Sequence, residues 1–462
     1  MLSAPCSVLR EPMTTTPQTA VASTDLKREL SLLDAIMINA GTMIASAIFI
    51  VPAAVAAAGP GMAMMTLVWV IGGIVSLLGA LSIAELAAAY PEAGGQYAYL
   101  REAYGPMPAF LYGWANFAVI NTASIAAIAV GFARYVGFFT PLSELEIRGV
   151  AILSIIGLTV LNCRGVRLGA TTQNVLTTLK IGALGALILT SFVLPGGSAS
   201  HFQPLWPPGT GGGQWIGPFG VAMVAVLWAY DGWIETTYIG SEIIDPGKNL
   251  PRSIIYSTLI VIALYVLASV GYTYVLSPAG MVGSQLVASD AAKVTMGAFG
   301  ASFVVIAILI STLGANNGIV LTAARIPYAM ARAGVFFRAQ GLVHPRYGTP
   351  VVALITQGVI GIALTALGTY DQLFTYVVFA QFVFYALSAG AVIRLRNKAP
   401  QVQRPYRTWG YPLTPIVFIA FAVWLVFNTI KETPRDSVVG AGIILLGLPG
   451  FYYWRRAGRA RR

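Results

Sequence analysis

Apolar runs of about twenty residues or more, each long enough to cross a bilayer, recur along the whole chain between short polar stretches. Within them Leu, Ile, Val, Ala and Gly follow one another without the two-residue alternation of a half-buried strand, so the runs read as helices. A β-barrel would show alternating segments of ~10 residues instead. The pattern predicts twelve spans, near 32–58, 62–89, 108–137, 147–163, 172–194, 217–243, 253–276, 296–331, 350–367, 373–394, 412–430 and 437–454.

Composition excludes a soluble alternative. A soluble globular chain carries roughly 25% charged residues. This chain is 57% hydrophobic and 10% charged, too little charge to cover a soluble surface. The charge that remains is placed asymmetrically. With the N-terminus inside, 22 of the 28 Lys and Arg fall in cytoplasmic segments; Arg134, Arg148, Lys293, Lys431 and Arg435 fall outside, and Lys180 lies within a span. That bias predicts both termini in the cytoplasm. The net charge of +11 then needs no nucleic-acid partner. It is mostly the positive-inside signal, and the tail "RRAGRARR" suits anionic lipid.

The two cysteines, Cys6 and Cys163, form no disulfide framework. The two histidines, His201 and His344, fall in loops, which disfavours a membrane-embedded enzyme or an intramembrane metal centre. No cofactor is expected, and the sequence specifies no oligomeric state. Residues 1–30 lack the apolar core of a secretory signal and are expected to form a disordered cytoplasmic tail.

Two stretches look like interruptions in helices. One is "NAGTMIASAIF" (39–49) in the first span. The other is "VLWAYDGWIE" (226–235) in the sixth, where Asp231 and Glu235 stand in an otherwise apolar run. Irregular backbone at membrane depth is tolerated only where protein or a water-filled cavity surrounds it. Spans 1 and 6 are five apart, the spacing of two inverted five-helix repeats that each begin with a broken helix. Free N–H groups at such breaks suit an anion and free carbonyls suit a cation; an amino acid backbone carries both. A second reading fits equally: Gly41, Ser46 and Gly232 are small residues that let helices pack closely.

At these positions the chain resembles a bacterial member of the L-type amino acid transporter family, within the amino acid–polyamine–organocation superfamily, of the serine/threonine exchanger type. The resemblance rests on "GTMIASAIF" (41–49), "YPEAGGQYAYLREAYGPMPAFLYGW" (90–114), "LNCRGVRLGATTQ" (161–173), and "AYDGW" followed by "SEIIDPGKNLPRSI" (241–254), in that order. It implies an all-α membrane protein with twelve transmembrane helices, a 5+5 inverted-repeat transporter fold with helices 1 and 6 broken. The expected organisation is a tail over 1–30, a first repeat over 31–195, and a second repeat over 217–395. Helices 11 and 12 follow over 412–454, then a basic tail over 455–462.

The resemblance also implies site residues. The substrate carboxylate would meet backbone N–H groups around Ala45, Ser46 and Ala47. The ammonium would meet carbonyls of Met43, Trp228, Ala229 and Asp231, with Gly232 at the turn and Trp228 closing over the substrate. Ala45 and Ala47 stand where the family usually has glycine, which would disfavour positive φ and narrow the pocket. Lys180 matches a lysine that replaces bound sodium in sodium-independent relatives, or else it couples proton movement. A charge at this depth is costly unless it snorkels.

Asp231 reads either as a cap on the second half-helix or as a substrate contact. Glu235, Asn316, Asn317 and Phe379 are candidate cavity or gate residues, with helix-to-helix hydrogen bonding the alternative for the asparagines. Glu85 and Glu242 are expected to pair with loop arginines. Animal relatives carry a cysteine in the loop at 138–147 that bonds an ancillary glycoprotein; its absence here implies no disulfide-linked subunit. The expected function is sodium-independent exchange of small neutral amino acids across a bacterial inner membrane. The alternatives are proton-coupled import of cationic amino acids or amines and, in a different class, a sensor or channel.

Overall fold

The computed structural model describes residues 26–459 except 60, 207–214 and 369; the side chains described further exclude those of 370–379, 432, 436 and 457–459. Regular structure among the described residues is helical, with pairing of extended backbone limited to isolated bridges, Leu30 with Ile243 and Ala93 with Ile239. The first half runs α1 (Leu32–Met43), α2 (Ala47–Ala58), α3 (Met62–Ala89), α4 (Gln96–Tyr104), α5 (Pro106–Ala115), α6 (Asn121–Val136), α7 (Glu144–Cys163) and α8 (Val166–Val193). A π-helical turn at Asn116–Ile120 joins α5 to α6. The second half runs α9 (Ile216–Ala229), α10 (Glu235–Tyr238), α11 (Pro246–Leu276), α12 (Pro278–Met281), α13 (Val287–Met296), α14 (Ala298–Ala323), α15 (Arg325–Arg332), α16 (Val351–Leu367) and α17 (Tyr370–Lys398). The chain then continues through α18 (Leu413–Glu432), α19 (Pro434–Leu445) and α20 (Gly447–Arg459).

Local chemistry sets several boundaries. Ser31 and Asp34 form a capping box that starts α1, and Ser143 with Glu146 repeats the device at α7. Asp34 also accepts from Asn174 Nδ2 at 2.7 Å, so its carboxylate ties α1 to α8. α11 begins earlier than the span expected at 253, because Pro246 sits at the first helical position, where its missing N–H costs nothing. The expected sixth span, 217–243, is one helix only as far as Ala229.

Among the described residues, seven helical stretches are long and apolar enough to cross a membrane, and eight if the bent pair α1–α2 counts as one. Their outward faces remain apolar, as with Leu189 at 61% exposed and Leu267 at 49%. Apolar surface on that scale needs lipid. The polar groups turn inward: α1 packs on α8, α11 and α14, and α6 packs on α7, α14, α16 and α17. Small residues permit the approach. A Cβ on Gly41 would come within 2.1 Å of Thr177 Oγ1, and one on Gly318 within 2.3 Å of Thr42 Oγ1.

Candidate functional site

α1 stops at Met43 and α2 starts at Ala47, with a 42° bend between them. The second interruption falls between Ala229 and Glu235. There Gly232 has φ +108°, and a Cβ on it would lie 3.1 Å from Met43 N and from Thr42 Cγ2. Only glycine combines that conformation with that contact. The two interruptions therefore touch. The break and close-packing readings both hold, the first at 44–46 and 230–234, the second at Gly41 and Gly232.

Around this contact lies a cavity of about 290 Å³. Of the residues expected at the site, Met43, Ala45, Ser46, Ala47, Trp228, Ala229, Asp231, Gly232 and Glu235 line it. Its remaining wall includes Asn121, Ser124 and Gly131 of α6, Thr312 and Ile319 of α14, and Gln381 of α17. No residue of the α6 face was expected. Its signal is a polar or small residue at 121, 124, 127 and 131, one helical stripe inside an apolar span.

The first break presents donors. Its carbonyls are already occupied: Lys180 Nζ donates to Gly41 O at 2.7 Å and Ile44 O at 2.8 Å, and also to Ser311 O of α14 at 2.8 Å. Ser311 Oγ lies 2.8 Å from Ile44 O and 3.1 Å from Ala45 O. Met43 O accepts from Tyr265 Oη at 2.8 Å and from Ala45 N at 3.0 Å, which uses both lone pairs of one expected ammonium ligand and the N–H of one expected carboxylate ligand. At the start of α2, Phe49 N donates to Ser46 O at 3.1 Å, and the N–H groups before it have no side-chain cap. Ala45 and Ala47 do not adopt positive φ, so the methyl groups cause no backbone strain here.

Lys180 is 1% exposed, which excludes snorkelling, and it does not line the cavity. Its three N–H donors are spent on carbonyls of α1, of the break and of α14. A Cβ on Gly314 would sit 2.9 Å from Nζ, so glycine there makes room for the ammonium.

The second break presents acceptors. The carbonyls of Ala229 and Asp231 accept no hydrogen bond from the described residues, while Trp228 O accepts from Asp231 N at 3.1 Å. Asp231 does not cap the next helix: α10 has Ile234 at its N-cap and no side-chain cap bond. Its Oδ1 instead accepts from Tyr385 Oη at 2.6 Å and Gln381 Nε2 at 3.3 Å, both on α17. These partners lie some 150 residues away, so sequence reading had no local signal for them. Glu235 pairs with the Thr322 hydroxyl of α14.

Asn316 and Asn317 do not line the cavity. Asn316 Nδ2 donates to Ile125 O at 3.2 Å, and Asn317 links Asn162, Gly169 and Gln173, so both bond between helices. Phe379 lies outside the described side chains. Phe382 packs edge-on against Tyr385, and Phe384 against Tyr112.

Beyond the second break the helices are held together by buried polar contacts, which form a closed end of the bundle. Tyr112 Oη bonds Tyr238 Oη at 3.2 Å, and Thr236 N donates to Asn39 Oδ1 at 2.9 Å. The fully buried Arg325 and Glu242 form a bidentate pair at 2.8 and 2.9 Å. Glu85 is held by Arg396 at 2.7 Å, by Arg404 at 3.4 Å and by Thr408 N at 2.7 Å. Both acids thus pair with arginine, but Arg325 lies on α15 and Arg396 on α17, and only Arg404 comes from a loop as expected.

The amino acid permease family matches residues 30–452. The b(0,+)-type amino acid transporter 1 of Mus musculus is 32% identical over 454 residues, covering 96% of this chain and 91% of that protein. The serine/threonine exchanger SteT of Bacillus subtilis (strain 168) is 32% identical over 436 residues, covering 92% and 97%. The large neutral amino acids transporter small subunit 2 of Homo sapiens is 30% identical over 449 residues, covering 93% and 81%. These matches span the interruptions, the cavity and the closed end alike. The chain belongs to the amino acid permease family of the amino acid–polyamine–organocation superfamily, a multi-pass membrane protein that works as a secondary active amino acid transporter and not as an enzyme.

Proposed function

We propose that the protein is a sodium-independent exchanger of small neutral amino acids that works by alternating access. The observation that carries this reading is the opposed chemistry of the two touching interruptions around one small cavity. Donors at Ser46 and Ala47 suit a carboxylate, and the free carbonyls of Ala229 and Asp231 suit an ammonium. A volume of about 290 Å³ lies at the low end of ligand pockets and favours a short side chain. Lys180 Nζ occupies the carbonyls of the first break, which removes the need for sodium.

The wider frame is twelve spans in two inverted repeats, both termini cytoplasmic, in a bacterial inner membrane. Helices α1–α2, α3, α5–α6, α7, α8, α9–α10, α11, α14, α16, α17, α18 and α19–α20 supply the spans. The closed end of the bundle is then cytoplasmic. A second reading, transport of cationic amino acids or amines with proton coupling, draws on Asp231 and Glu235 both lining the cavity.

A competition panel of the twenty amino acids against labelled serine, in proteoliposomes without sodium, separates the readings. Displacement by serine, threonine and alanine is the expected result. Displacement by arginine and lysine alone would replace it with the cationic reading, and loss of uptake without sodium would remove the role given to Lys180.

A further inference from the structure

A second cavity, of about 700 Å³, lies apart from the substrate site at the closed end of the bundle. Three separate segments build it. Lys27 comes from the stretch leading into α1, Arg164 from the α7–α8 turn and Arg167 from the first turn of α8, and His344 and Arg346 from the loop before α16. Glu29 is its one acid. Among the described residues no ion pair engages Lys27, Arg164 or Arg346. Arg346 lies over the Tyr347 ring at 5.6 Å; Arg167 Nη1 donates to Glu29 O at 2.9 Å and lies within electrostatic reach of the Asp34 carboxylate.

The positive-inside bias explains why these residues lie on one side of the membrane. It does not explain why five of them converge on one concavity whose lining holds a single acid and where Lys27, Arg164 and Arg346 form no ion pair among the described residues, while Arg325, Arg396 and Arg404 are paired. Like charges held together repel, so the arrangement costs stability unless an anion occupies it. Arginines that keep their forked donors suit phosphate oxygens. Two apolar lining residues, Leu168 at 44% exposed and Tyr347 at 37%, add a surface of the kind that meets lipid at headgroup depth.

We propose that this cavity is a binding site for a phosphate-bearing anion, taken either from an acidic lipid headgroup or from a free phosphate. Its occupant bridges the α7–α8 turn, the loop before α16 and the stretch leading into α1. That stretch is itself tied to the buried lock, since Glu29 N and Leu30 N donate to Glu242 O at 2.9 and 3.0 Å. The site thus sits where it staples the closed end.

The test is thermal unfolding of the full-length protein in detergent, titrated at constant ionic strength. The probes are dioctanoyl-phosphatidylglycerol, dioctanoyl-phosphatidylcholine and inorganic phosphate. The wild type is expected to show a saturable rise in Tm with phosphatidylglycerol and none with phosphatidylcholine. In Arg164→Gln/Arg346→Gln the apparent affinity falls by roughly tenfold or more, as removing two surface cations near a phosphate requires. Arg455→Gln/Arg456→Gln, an equal charge change in the C-terminal tail, keeps the wild-type response. Saturation by inorganic phosphate as well assigns a free anion; saturation by phosphatidylglycerol alone assigns a headgroup. If the double variant gives no cooperative transition, Arg346→Gln alone reads the same shift. The proposal fails if no probe saturates, if the double variant responds like the wild type, or if the tail variant loses the response equally.

Discussion

The two helix interruptions that meet at Gly232 are solved in opposite ways. At 44–46 the carbonyls of Gly41, Met43, Ile44 and Ala45 are covered by Lys180, Tyr265 and Ser311, which leaves N–H groups as the exposed chemistry. At 230–234 no side chain among the described residues plays that part. The carbonyls of Ala229 and Asp231 accept no hydrogen bond from them, and the one strongly polar side chain, Asp231, is braced sideways by Tyr385 and Gln381. The helices beyond differ too: α2 has 12 residues and α10 only 4. One interruption is a rigid donor surface with a long helix dipole behind it. The other is a short acceptor surface held from across the bundle. On the proposed reading, a zwitterion would sit between two such surfaces in one orientation.

The largest expected effect comes from stripping the first interruption of its cover. Lys180→Ala leaves three buried carbonyls without a cationic donor, and each such bond is worth about 1.5–3 kcal/mol, so uptake should fall roughly a hundredfold or more. Proteoliposome uptake normalised to monodisperse protein measures it. Near-normal uptake would mean that the carbonyls of this break do not depend on the ammonium.

Gly232→Ala attacks the contact between the two interruptions. A methyl group at φ +108°, 3.1 Å from Met43 N, forces a strained backbone or moves one break off the other. Strain of about 1–3 kcal/mol predicts uptake lower by roughly ten- to a hundredfold. An unaltered rate would show that the breaks need not touch.

Asp231→Asn sharpens the acceptor side. Asparagine can still accept from Tyr385, so the brace survives while the negative charge is lost. A charge-assisted contact to the substrate ammonium predicts a KM raised about tenfold with little change in kcat. An unchanged KM would assign the ammonium to the carbonyls alone. Ser46→Ala has the smallest expected effect, a KM raised about fivefold or less, because the donors of the first break are backbone N–H groups and only one hydroxyl is lost.

The sequence exposed this contrast unevenly. Both interruptions were legible because Gly41, Ser46, Asp231 and Gly232 are out of place in apolar runs, and nine of the expected site residues line one cavity. The depth of Lys180 was legible for the same reason. What was not legible lies in partners far along the chain. Tyr265 takes up the Met43 carbonyl and Tyr385 takes up the Asp231 carboxylate, and each lies in an ordinary-looking aromatic helix. The asparagines of α14 were visible as polar residues in a span. Whether they faced the cavity depended on helix rotation, and the structure turns them toward Ile125, Asn162, Gly169 and Gln173 instead.

The most direct test of the account is counterflow in sodium-free proteoliposomes, with labelled serine outside and unlabelled serine, alanine or arginine inside. A cavity that grips a small zwitterion between a donor break and an acceptor break predicts strong acceleration by internal serine and alanine and none by arginine. Acceleration by arginine alone, or none by any internal amino acid, would contradict it.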